Sequence, residues 1–82
     1  MTYQRKNEIP QEQLETIRRI AKVVKHLRLE KKMSIEKFCS KFGIARITYS
    51  NLESSNGSFQ ITSLLSVLEA HQLDIKKFIK MI

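Results

Sequence analysis

The run "ARITYSNLE", residues 45–53, carries side chains suited to recognition. Arg46 presents a rigid fork of N–H donors, and Asn51 an amide that both donates and accepts. Ser50 adds a hydroxyl, and Ile47 and Thr48 add branched apolar surface. Wound as a helix, the run turns Tyr49 and Leu52 inward with Ile44. It leaves Arg46, Ile47, Ser50 and Asn51 on the outer side. That face can make paired hydrogen bonds and methyl contacts. It holds no nucleophile beside a base.

The rest of the chain offers no reactive constellation either. His26 and His71 stand far apart, without cysteine or acidic partners at metal-ligand spacing. No glycine-rich loop suits a phosphate, and no nucleophile–base signature appears. The sequence therefore predicts no catalytic residue, no metal and no cofactor: a binding protein, not an enzyme. Cys39 is the single cysteine. No internal disulfide can form, so the thiol reads as a small buried hydrophobe in a reducing cytosol. No apolar run is long enough for a membrane span. "MTYQRKNEIPQEQ" lacks an apolar signal core. The expectation is a soluble, cytoplasmic chain.

Charge is unevenly placed. The 82 residues carry a net charge of +7, and residues 1–50 hold all of it, with twelve bases against five acids. Residues 51–82 hold three of each. A basic half beside a neutral half gives a one-sided field that suits a polyanion.

The outer face at 45–52 needs a scaffold, and the apolar spacing supplies one. Residues 1–9 read as a flexible polar tail, and residues 10–82 as a single domain. Pro10 suits the first turn of a long helix ending near Lys32. Leu14, Ile17, Ile20, Ala21, Val24 and Leu27 form its apolar stripe. Ser34 caps a second helix with Ile35, Phe38, Cys39 and Phe42 inward, and Gly43 ends it. The third helix follows at Ala45. "SSNGS", residues 54–58, is turn chemistry. Thr62 is expected to cap a fourth helix with Leu64, Leu65, Val67 and Leu68. Asp74 is expected to cap a short fifth with Ile75, Phe78, Ile79 and Ile82. The fold class is all-α: five helices with short connections and an extended first helix.

Two short helices around one tight glycine turn make a helix-turn-helix, here residues 34–53. "MSIEKFCSKFGIARITYSNLE" resembles the helix-turn-helix of the Cro/repressor (XRE-type) family. Ser34, Phe38, Cys39, Phe42, Gly43, Ile44, Arg46, Thr48, Leu52 and Glu53 fall on matching positions. "HLRLEKKMS" resembles the end of the family's first helix, and "ITSLLSVLEAHQLDIKKF" its fourth and fifth. The likeness spans residues 20–79. It implies a five-helix bundle of the lambda-repressor-like DNA-binding type. The small controller proteins of restriction–modification systems share this size and layout, and antitoxins of the HipB type are also similar.

The resemblance implies particular roles. The helix at 45–52 would enter the major groove of double-stranded DNA, with base contacts from Arg46, Ile47, Thr48, Ser50 and Asn51. Phosphate contacts would come from Ser34, Lys37, Lys41, Ala45, Ser54, Ser55 and Asn56. Arg28 and Glu53 would form a structural ion pair. Phe78, Ile79, Met81 and Ile82 are more apolar than a monomer's tail needs; they are expected to form the interface of a homodimer reading a palindromic operator as a transcriptional regulator, the alternative being that they cap the core. The alternative is an antitoxin or interaction module that uses the same fold to bind a toxin or other protein. Three departures stand out. Ile35 replaces a phosphate-touching glutamine, Tyr49 replaces a smaller aliphatic residue, and Gln72 stands where a helix-ending glycine is common.

Overall fold

The computed structural model describes residues 10–54 and 59–82. Five helices follow one another: α1 (Gln11–Glu30), α2 (Ile35–Phe42), α3 (Arg46–Glu53), α4 (Ile61–Ala70) and α5 (Ile75–Met81). Among the described residues there is no strand. No described helix is long and apolar enough to cross a membrane.

The helix ends follow from local chemistry. Pro10 precedes α1, and its carbonyl accepts from the Leu14 amide at 3.0 Å. Helix α1 stops at Glu30, two residues short of the expected end. There Lys32 takes a left-handed conformation, φ 58°. Nothing in a lysine advertises that turn, because the conformation favours glycine. The Ser34 hydroxyl accepts from the Lys37 amide at 3.1 Å, satisfying an orphan donor of α2. Asp74 does the same for α5, accepting from the Lys76 amide at 2.6 Å.

Thr62 does not cap α4. Gln60 occupies the N-cap position without a side-chain bond, and α4 begins at Ile61. Thr62 lies inside the first turn, where its carbonyl accepts from the Ser66 hydroxyl at 3.0 Å. The apolar residue Ile61 thus opens the helix. The cap preference of threonine marked a boundary two residues too late.

Gly43 ends α2 at φ 68°. A Cβ at that position would meet no atom within 4 Å. Gly43→Ala should therefore lose stability through backbone strain alone, by ~1–2 kcal/mol, measurable by urea denaturation. An unchanged midpoint would show that the turn tolerates an L-residue. Gln72 ends α4 in the same left-handed region, φ 54°, where glycine is common in the family it resembles.

Phe38, Tyr49, Leu52, Leu64, Val67, Leu68, Phe78 and Val24 form the core, joined by Cys39. Each fully buried side chain of this size contributes about 1.5–3 kcal/mol relative to exposure. Phe38 stands at the centre. Its ring lies 4.8 Å from Phe42, 5.1 Å from Tyr49 and 5.1 Å from the imidazole of His71. Burial pushes the Cys39 thiol pKa up, which keeps the sulfur protonated and unreactive.

His71 is stacked on Phe38 with its Nε2 buried and without a hydrogen-bond partner among the described residues. Burial, and then the Lys31 charge, hold its pKa below the ordinary 6.5, against a smaller opposing pull from Glu30. The unfolded chain binds a proton that the folded chain resists. Stability should therefore be level above pH ~6.5 and fall as the pH drops below it. Thermal melts from pH 5 to 8 on wild type and His71→Leu test this. The variant should lose most of the acid-side slope, and an identical slope in both would acquit His71.

Candidate nucleic-acid interface

Helix α3 is held by packing on one side and is free on the other. Tyr49 and Leu52 are buried. The helix packs against α1, α2 and α4. Arg46 is exposed, Ile47 is 75% exposed, and Ser50 and Asn51 are partly exposed. Ile47 presents its apolar side chain to solvent on the side of α3 opposite the buried Tyr49 and Leu52. Thr48 stands apart from this group. It lies on the flank toward α4, lining a cleft of about 540 Å³ with Ser63, Ser66 and Glu69.

The start of α3 is open as well. Ala45 is its N-cap, with no side-chain hydrogen bond, and is exposed. Helix α2 brings Ser34, Lys37 and Lys41 to one shallow depression, together with Glu36 and Ser40. Ser40 escaped the sequence reading because serine in mid-helix carries no distinguishing pattern. Lys41 stands 5.6 Å from the centre of the Phe42 ring, and Lys31 stands 5.9 Å from it. At the other end of α3, the Ser54 hydroxyl donates to the Asn51 carbonyl at 3.2 Å. Ser55 and Asn56 lie outside the described residues.

One ion pair fixes this helix to the body. Arg28 Nε donates to Glu53 Oε2 at 2.8 Å, and a second guanidinium nitrogen donates to Oε1 at 3.1 Å. A third bond, 2.6 Å, runs from the guanidinium to the Met33 carbonyl. The two side chains are each about 8% exposed. One group thus joins α1, the loop before α2 and the last residue of α3. The Glu53 carboxylate raises the Arg28 pKa further, by hydrogen bonding and by charge. The Met33 contact was invisible in sequence, since a backbone carbonyl carries no residue signature.

Tyr49 lies beside this pair. Its hydroxyl is buried and makes no hydrogen bond of good geometry among the described residues. Burial, with the Glu53 carboxylate nearby, pushes its pKa well above 10, so the phenol stays neutral.

The set expected at the end of the chain divides. Phe78 is only 1% exposed and fills the protomer's own core, which removes it from any outer surface. Ile82 is partly buried and packs on the same core. Ile79 (59% exposed) and Met81 (44%) remain open. Ile61 and Leu65 of α4 and Ile75 of α5 add further exposed apolar surface. Among the described residues, no group of histidine, cysteine and acidic residues is placed to hold a metal.

A capped short helix, a left-handed glycine, an outward-facing second helix and three supporting helices define a helix-turn-helix bundle similar to the Cro/repressor type. No protein-family model and no curated protein sequence matches the chain. Its structure is similar to the crystal structure of a point mutant of the restriction–modification controller protein C.Esp1396I. The TM-score is 0.67 and the identity 26%, and the match covers 79% of this chain and 82% of that one.

Proposed function

We propose that this chain is a DNA-binding regulator of the helix-turn-helix type, which binds double-stranded DNA sequence-specifically as a homodimer. The observation that carries the reading is α3 itself. It is anchored by a buried ion pair and presents Arg46 and a largely exposed Ile47 to solvent. The basic first half of the chain and the likeness to a controller protein support it.

In this reading α3 enters the major groove by its N-terminal end. Arg46 forks onto guanine O6 and N7, Asn51 pairs with adenine, and Ile47 meets thymine methyls. Thr48 contacts a base edge from the α4 flank, and Ser50 from the outer face. The depression at Ser34, Lys37 and Lys41 takes a backbone phosphate beside the α2 amides. Ala45 and Ser54 approach the backbone at either end of α3. Two copies related by a two-fold axis place their α3 helices about 34–36 Å apart on a palindrome.

In this reading Ile79, one turn from the exposed Ile75, is the centre of the dimer contact, with Met81 at its edge. Ile79→Asp should halve the mass seen in sedimentation while the helical circular-dichroism spectrum persists. A variant that keeps the wild-type mass would move the interface elsewhere.

Selection of bound duplexes from a random pool at near-physiological salt tests the function. An enriched palindrome with half-sites about one helical turn apart supports a sequence-specific dimer. Salt-sensitive binding with no enriched sequence leaves only backbone attraction and sinks the reading.

A further inference from the structure

Helix α1 is longer than its packing requires. Its buried residues, Ala21, Val24 and Arg28, all lie in the second half. The first ten residues of the helix contain no buried side chain, and of them only Ile20 packs against the core. Four cations, Arg18, Arg19, Lys22 and Lys25, stand on this overhang or at its junction with the packed half, all exposed. Arg18, Lys22 and Lys25 follow the four-then-three spacing that aligns side chains along one ridge, and Arg19 adjoins Lys22 one turn away. Among the described residues none of the four lies within salt-bridge distance of a carboxylate. Glu15 is close in sequence yet makes no such contact.

The ridge is fixed relative to the recognition helix. Lys25 sits one turn before Arg28, and Arg28 is clamped to Glu53, the last residue of α3. The ridge is therefore carried on the same helix that anchors the end of α3. Four like charges at this density repel one another, and a polyanion relieves that repulsion. DNA carries about one negative charge per 1.7 Å of its axis, so a duplex running past α3 supplies it.

We propose that the Arg18–Lys25 ridge of α1 is a second DNA-contact surface, which grips the phosphate backbone outside the base pairs read by α3. The proposal rests on the regulator reading above and adds to it a dependence on flanking length. Sequence preference stays with α3, and the ridge contributes affinity without discrimination.

The test uses the full chain and a fourfold variant, Arg18→Gln, Arg19→Gln, Lys22→Gln and Lys25→Gln. These side chains are exposed, and a thermal melt checks that the fold persists. Two duplexes are compared: the selected operator alone, and the operator with one further helical turn on each side. Affinity is measured over a range of salt concentrations. Wild type should bind the longer duplex more tightly and with the steeper log–log salt slope. The variant should lose ~0.9 of slope for each phosphate released, ~2 or more in total, on the longer duplex only. A variant that matches wild type on the longer duplex overturns the ridge while leaving the regulator reading intact. So does a wild type indifferent to flanking length. A wild type that selects no operator overturns both.

Discussion

Arg28→Ala should unfold more than ~10 °C below wild type, reflecting a loss of ~3–5 kcal/mol. The size of the effect comes from what remains. Removing the guanidinium leaves the Glu53 carboxylate in a site about 8% exposed, and leaves the Met33 carbonyl without its donor. A buried charge without a partner is far more costly than a missing attraction. A domain of this size has ~5–15 kcal/mol of stability in all, so the loss is a large share of the total. Glu53→Ala should be similarly damaging, because it strands the arginine. The pair Arg28→Met with Glu53→Leu should recover much of the loss, since neither charge is then left alone. Thermal and urea denaturation of the three variants decide the matter. A loss under ~1 kcal/mol in the single variants would mean that the pair behaves as an exposed one.

The second large effect concerns recognition. Arg46→Ala should leave the melting temperature near wild type, because the side chain is exposed and supports nothing in the core. It should weaken binding to the selected operator by ~1–3 kcal/mol, or roughly fivefold to more than a hundredfold, and relax preference at one base pair of each half-site. Repeating the duplex selection with the variant reads this directly. Loss of affinity with unchanged preference would recast Arg46 as a phosphate contact. Unchanged affinity and preference would place the recognition face elsewhere on α3.

Much of this architecture was written in spacing and cap chemistry. Ser34, Gly43 and Asp74 mark ends of helices because their side chains, or the lack of one, answer unpaired backbone groups. The Phe38–Tyr49–Leu52 core followed from helical periodicity, since those positions recur on one face. The Arg28–Glu53 contact could not be read from periodicity, because the two residues are 25 positions apart. It came from resemblance. Lys32 was missed because its left-handed turn is imposed by the surrounding chain and is not advertised by the residue. Thr62 misled because capping preference is a local tendency that the register of α4 overrode. Phe78 reads from sequence as an outer-surface residue for a related reason. An apolar residue in a terminal helix reads the same whether its own core or a partner covers it.

Helix α3 touches α1, α2 and α4, and its Tyr49, Leu52 and Glu53 are committed to the core and the buried pair. Its residues therefore fall into two structural classes. Positions 49, 52 and 53 answer to folding. The side chains at 46, 47, 50 and 51 are exposed or partly exposed and stand outside the core. On the proposed DNA-binding reading, the outward letters of this eight-residue word can be rewritten for a new target, with the grammar of the fold held constant by the rest.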